Sequence, residues 1–249
     1  MALSNSLILP DFIVVGAPKC GTTSLHDILW DHPQIFLPSD KELHFFDNPD
    51  IYSKGENWYS DQFTGNAKVK GEITPAYMSY EATPERIFKT IGKNVKLIFM
   101  FREPVERAFS EYQHNYRRGF LDETTFEEAL EKEKKWSGPE PFDKRHFSFI
   151  QRGNYADQVE GFLEFFPLEQ MLFIRFKEDL IDQKSLCIST LLEFLNVEPF
   201  ELNINKKSNA SFIPKSRMVT KMMEKDNSLR SLARLVVGNP VVRKKIRSI

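Results

Sequence analysis

The chain has 249 residues, 41% hydrophobic and 28% charged, with 22 phenylalanines and 34 basic side chains against 35 acidic ones. Such a length suits one domain and buries a proper core without disulfide or metal staples. The composition excludes disorder, collagen and low-complexity sequence, and the balanced charge leaves no electrostatic footprint for nucleic acid.

The N-terminus, MALSNSLILPDF, has no basic region ahead of its short apolar run and is not read as a secretory signal. Residues 12–15 are apolar and largely β-branched, a buried strand ending at Gly16. After a loop at 17–21, Leu25, Ile28 and Leu29 give helical spacing within 22–30, stopped by His32-Pro33. Residues 68–73 are a second strand, closed by Thr74-Pro75. Residues 95–101 (VKLIFMF) are the strongest strand, with the apolar run of a central parallel one. Pro104 opens a helix at its preferred first position, with Val105, Phe109, Tyr112 and Tyr116 as the predicted buried stripe and Gly119 at its end. Thr124 and Glu127 have capping-box spacing before a charged helix to about residue 135.

Residues 136–148 lack periodicity and read as a long loop, a lid or a substrate rim. Residues 155–166 are amphipathic through Val159, Phe162, Leu163 and Phe166; 171–176 is a fourth strand, 184–195 another helix, and 203–218 a polar stretch. From Ser228 to the end there are six basic residues and no acidic one. This basic helical segment is expected to pack its leucines on the domain, with contact to acidic lipid as the alternative. Strands alternating with helices predict a single α/β domain over residues 1–249, with a core at about 11–220, built on a central parallel sheet flanked by helices. Two cysteines, Cys20 and Cys187, make no disulfide framework or zinc knuckle, and no stretch has the roughly 18 apolar residues of a membrane span. A reducing, cytoplasmic setting is the expectation.

Strand, glycine-containing loop and helix is a physical recipe for holding phosphate, because free amides and the helix dipole both face the anion. Gly16 and Gly21 have P-loop spacing, but Thr22 stands where a Walker lysine would, and the loop's lysine is Lys19. The strand at 95–101 ends in Arg102 rather than in an acid that holds Mg²⁺. The predicted ligand is a nucleotide whose phosphate-type charges are handled without a metal. A metal-dependent nucleotide kinase would need a lysine at position 22 and a strand-end acid. A non-catalytic nucleotide-binding module would keep Lys19 and Arg102 and need no acid at position 42.

Ala17-Pro18-Lys19-Cys20-Gly21-Thr22-Thr23-Ser24-Leu25 resembles the 5′-phosphosulfate loop of the sulfotransferases that use 3′-phosphoadenosine 5′-phosphosulfate (PAPS). Phe101-Arg102-Glu103-Pro104, with Ser110 eight residues after the arginine and Tyr112 following, is similar to the family's 3′-phosphate motif. Lys41-Glu42-Leu43-His44-Phe45-Phe46-Asp47 resembles the heparan-sulfate-type branch, where the glutamate is the base. Arg152-Gly153-Asn154-Tyr155, Phe166-Pro167 and Glu178-Asp179-Leu180 follow in family order. Asn209-Ala210-Ser211 with Pro214-Lys215-Ser216-Arg217 resembles the late nucleotide loop of bacterial members. One departure is Ile73 in Glu72-Ile73-Thr74-Pro75, where heparan-type members usually carry a lysine.

The resemblance implies a P-loop-NTPase-like sulfotransferase fold and PAPS as co-substrate. Adenosine 3′,5′-bisphosphate is then the product, no metal is required, and the acceptor is a small molecule or carbohydrate. It assigns Lys19 to the bridging or sulfuryl oxygen and the loop Cys20, Gly21, Thr22, Thr23 and Ser24 to the 5′-phosphate. Arg102, with Ser110 beside it, offers a bidentate fork to the 3′-phosphate. Lys215 and Arg217 close over the nucleotide, and Tyr155 either packs on it or belongs to the core. Glu42 takes the acceptor's proton, with His44 orienting it or the acceptor; in an extended segment Glu42, His44 and Phe46 share one side. Glu72, His114 and His146 are the alternative bases.

Overall fold

Continuous apolar runs make strands that are buried on both faces, and such strands pair in parallel. The computed structural model describes residues 7–122, 125–135 and 147–204 and bears this out. Five strands, β1 (Phe12–Gly16), β2 (Ile35–Phe36), β3 (Val69–Ile73), β4 (Lys96–Phe101) and β5 (Met171–Arg175), form one sheet in the order β2-β3-β1-β4-β5. Every pairing is parallel, with Phe12 opposite Gly71 on one side and Lys96 on the other. The helices are α1 (Thr22–Leu29), α2 (Pro49–Tyr52), α3 (Gly55–Ser60), α4 (Thr83–Ile91), α5 (Pro104–Arg117), α6 (Phe126–Lys134), α7 (Tyr155–Leu163) and α8 (Lys184–Phe194). This is the expected α/β class.

The chain builds outward from β1 in one direction through β3 and β2, then in the other through β4 and β5. Such a reversal opens a crevice at the carboxyl ends of the strands, where α/β sheets bind ligands. Here the crevice lies between the loops after β1 and β4, and the Ala17 amide donates to the Met100 carbonyl at 2.8 Å. Gly16 is required by a close approach. A Cβ there would lie 2.5 Å from Met78 Cβ and 2.8 Å from the Pro75 carbonyl oxygen.

The aromatic residues fill the core, as their number suggests. Phe45, Phe46, Tyr59, Phe63 and Tyr77 form one buried cluster, with Phe45 stacked on Tyr59 at 4.4 Å between centroids. Phe99 meets Phe162 edge-on at 5.1 Å. On α1, Leu25, Ile28 and Leu29 are buried as their spacing predicts.

The face of α5 differs from expectation. Of the predicted stripe Tyr112 is buried, but Val105 is 64% exposed and Phe109 43%, while Arg107, Ala108 and Glu111 turn inward. The reason is charge pairing. Arg107 and Arg152 both bond to the Glu111 carboxylate, and Arg107 also donates to the Phe149 carbonyl. A charged group that is paired and hydrogen-bonded can occupy the core even with one buried atom, Arg107 Nε, left unpaired, and apolar periodicity does not register it. The capping box also sits one residue later than predicted. Thr125 accepts from the Glu128 amide, and Glu128 accepts from the Thr125 amide.

The chain divides into two compact units, Met1–Glu111 with Ser148–Ala210, and Tyr112–Phe147 with Ser211–Ile249. The first carries the whole sheet. In the second, Tyr112 packs on Tyr116 and on Phe126 of α6, at 5.8 and 5.6 Å between centroids. Most of the predicted 136–148 loop, Lys215, Arg217 and the basic C-terminal segment lie outside the described residues. Among the described residues no helix is long and apolar enough to cross a membrane.

Candidate active site

The loop after β1 ends at Gly21, which caps α1 in the left-handed region, at φ 90°. A side chain there would be strained, and its Cβ would lie 2.7 Å from Leu180 Cδ2 and 2.8 Å from Phe176 Cδ2. Lys19, also left-handed at φ 70°, accepts strain that a glycine would not have. No side chain caps α1, and Leu25 N–H to the Gly21 carbonyl is its first helical bond. The amides of Thr22 and Thr23 precede that bond at the positive end of the helix dipole. A helix start of this kind is chemically suited to an anion.

Arg102 stands at the end of β4, across the crevice. Its Nε donates to Glu106 at 3.1 Å, and its guanidinium lies over the Phe176 ring at 5.0 Å. Glu106 is 57% exposed and Arg102 24%, so water weakens the pair and an arriving phosphate can displace it. Glu103, the neighbour of Arg102 in sequence, accepts from the amides of Val105 and Glu106 at the start of α5. Tyr155 joins the two loops. Its hydroxyl donates to the Arg102 carbonyl at 2.9 Å and lies 3.9 Å from Cys20 Sγ. Burial pushes the Cys20 thiol up to about 11 and the Tyr155 hydroxyl well above its usual value, so both stay protonated at neutral pH.

The third part is the turn after β2. It is not extended as expected, because Glu42 and His44 both take left-handed φ, 66° and 53°. Leu43, Phe45 and Phe46 are buried, and the Phe45 amide donates to Tyr77 Oη at 2.9 Å. These anchors hold the backbone in a conformation that side-chain alternation does not predict. Glu42 and His44 still meet, with His44 Nε2 3.8 Å from Glu42 Oε2. His44 Nδ1 lies 3.0 Å from the carboxylate of buried Asp47, which fixes the ring. Lys41 donates to Thr23 Oγ1 at 2.9 Å and pairs with Glu42 Oε1 at 3.3 Å. A continuous polar chain thus runs from the anion loop through Lys41 to Glu42, His44 and Asp47.

A family model for the sulfotransferase domain matches residues 9–231. The chain belongs to this family. Among curated relatives, the membrane-associated sulfotransferase kil1 of Dictyostelium discoideum is 29% identical over 82% of this chain and 59% of its own length. Mouse heparan sulfate glucosamine 3-O-sulfotransferase 5 is 30% identical, over 82% of this chain and 58% of its own. The chain therefore spans a little over half the length of these relatives. The crystal structure of a sulfotransferase from Alicyclobacillus acidocaldarius is similar at a TM-score of 0.67 and 30% identity, covering 82% of this chain and 87% of that one. Mouse sulfotransferase SULT7A1 complexed with PAP, at 0.51 and 19%, shares the fold.

In this sulfotransferase, Lys19, Cys20, Gly21, Thr22, Thr23 and Ser24 form the loop into α1, and Arg102 and Tyr155 stand with it. Ser110 is half-buried on α5, two turns beyond Arg102. Glu72, an alternative base, is shut in. It is 1% exposed and accepts from Tyr59, Thr74 and Tyr77 at 2.5, 3.0 and 3.2 Å. Burial outweighs those donors and pushes its carboxyl up to about 7. His114 belongs to the second unit, and His146 lies outside the described residues. Sequence reasoning gave Lys41 and Asp47 no role, although both sit in the quoted block. Only the folded turn shows Lys41 reaching back to Thr23.

Proposed function

We propose that this sulfotransferase moves the sulfuryl group of PAPS, in line, to a hydroxyl of a carbohydrate acceptor, with small-molecule hydroxyls and then amines as further acceptors. One observation carries the reading. A single unit holds an uncapped helix start with Lys19, a strand-end arginine opposite it, and a Glu–His–Asp group joined to the first by Lys41. The 30% identity to a relative named for a glucosamine substrate supports the acceptor class.

The α1 amides with Thr22, Thr23 and Ser24 would hold the 5′-phosphate. Arg102 and Ser110 would hold the 3′-phosphate. Lys19 meets the charge that grows on the leaving phosphate, and no metal is called for, since Lys19 and Arg102 supply the positive charge. Glu42 accepts the acceptor's proton as the O–S bond forms. His44, held by Asp47, presents Nε2 to the carboxylate that has just been protonated. The adenosine 3′,5′-bisphosphate left behind is released.

A screen of acceptors for the mass gain of one SO₃ group tests the reaction. On an accepted substrate, Glu42→Gln should lower kcat by about 10²–10⁴ and leave the affinity for adenosine 3′,5′-bisphosphate near wild type. Full turnover by Glu42→Gln with none by His44→Ala would move the base to His44. Tight binding of the bisphosphate without transfer to any acceptor would favour a non-catalytic module.

A further inference from the structure

The ammonium of Lys41 has three N–H donors, and two of its partners belong to different halves of the chemistry. One is Thr23 Oγ1 on the first turn of α1, at 2.9 Å. The other is the Glu42 carboxylate, at 3.3 Å. A threonine hydroxyl that accepts from an ammonium has its own proton left to give. Thr23 lies on the exposed first turn of α1, so an anion at the helix start would be within its reach. Lys41 also pins one oxygen of Glu42, leaving the other, Oε2, facing His44 Nε2. Its side chain is 22% exposed, well placed to hold a geometry and poorly placed to serve the core.

We propose that Lys41 is a positioning residue that couples the two sites. It turns the Thr23 hydroxyl toward the co-substrate's 5′-phosphate and sets the rotamer from which Glu42 receives the acceptor's proton. The second half rests on Glu42 as base; the first half does not. Neither partner works alone. Without Lys41 the Thr23 proton is free to rotate away from the phosphate, and Glu42 loses the ammonium that holds Oε1, keeping only His44 on Oε2.

Two double-mutant cycles test this. In the first, adenosine 3′,5′-bisphosphate is titrated calorimetrically into wild type, Lys41→Met, Thr23→Val and the double variant. Lys41→Met should weaken binding about three- to tenfold, the worth of one hydrogen bond, and should cost nothing further once Thr23 is valine. In the second, turnover is measured for Lys41→Met, Glu42→Gln and both. Lys41→Met should lower kcat in wild type and leave it unchanged in the Glu42→Gln background. Lys41→Arg should restore most of both losses, and melting temperatures should match wild type throughout. Additive losses in both cycles would mean that Lys41 acts as a bare charge on the ligand, and would overturn the proposal, as would wild-type binding and turnover in Lys41→Met. If Glu42→Gln keeps full turnover, the base assignment fails while the binding cycle still decides the role of Lys41 toward Thr23. Should Lys41→Met melt early, Lys41→Gln keeps a donor without the charge and repeats the measurement.

Discussion

Replacing Glu72 with glutamine should change how stability responds to pH. The carboxyl is buried, with Tyr59, Thr74 and Tyr77 donating to it and buried Asp47 adding like charge. Burial moves it from an ordinary 4.5 to about 7 in the folded protein. The folded state therefore holds this proton more tightly than the unfolded chain. The stability it contributes is complete below about pH 4.5 and is lost as pH rises through about 7. The 2.5-unit difference corresponds to about 3 kcal/mol, or roughly 6–12 °C in melting temperature for a chain of this size. Glutamine has nearly the same shape and does not ionise. The stability of Glu72→Gln relative to wild type should thus improve by about that amount between pH 4.5 and pH 8.5. Urea or thermal melts of both proteins across the range give the difference directly, and other titrating groups cancel in it. A flat difference would show that Glu72 titrates alike in both states. A difference of opposite slope would show that the three hydroxyls bind the carboxylate more strongly than burial disfavours it, and the reasoning would fail.

Adenosine 3′,5′-bisphosphate should raise the melting temperature without added Mg²⁺, by about 3 kcal/mol of stabilisation at a hundredfold excess over Kd; dependence of the shift on Mg²⁺ would count against the site. Arg102→Ala should mainly weaken bisphosphate binding and Lys19→Ala mainly lower kcat, since only the latter meets charge that develops during transfer. Binding and steady-state rates separate the two, and a pure binding loss in Lys19→Ala would make it an anchor only. Gly21→Ala should destabilise the loop by at least about 1–2 kcal/mol from the positive φ alone, with contacts to Leu180 and Phe176 adding to the cost; wild-type melting and bisphosphate affinity would refute the packing described.

The sheet was readable because its strands are apolar runs with no competing helical period, as in Val95–Phe101 against an observed Lys96–Phe101. Two-residue β2 is too short to leave a pattern. The 83–91 helix carries local signals of its own, with Pro84 in the first turn and Gly92 just past the end. The anion loop was readable for a chemical reason, since glycine spacing and a displaced lysine are local features. The base turn was only half readable. Its residues stand together in sequence, but the left-handed φ of Glu42 and His44 comes from Tyr77, 33 residues past His44, holding the Phe45 amide. The inward Arg107 leaves no mark in the apolar pattern because its partners, Glu111 and Phe149, come from two separate stretches of chain, and Arg152 joins only through Glu111.

The Arg107–Glu111–Arg152 group has a consequence for how the protein meets salt. Added electrolyte screens charges that face water over about 8 Å at 0.15 M and reaches dry ones far less. Glu106, the partner of Arg102, is 57% exposed and Arg102 itself 24%, whereas Arg107, Glu111 and Arg152 are 0%, 5% and 10% exposed. Ionic strength thus acts more on the Arg102–Glu106 pair than on the buried group. Turning it up should strip a bound anion from the Arg102 end while the ion group one turn further along the same helix keeps its grip on the 149–152 segment.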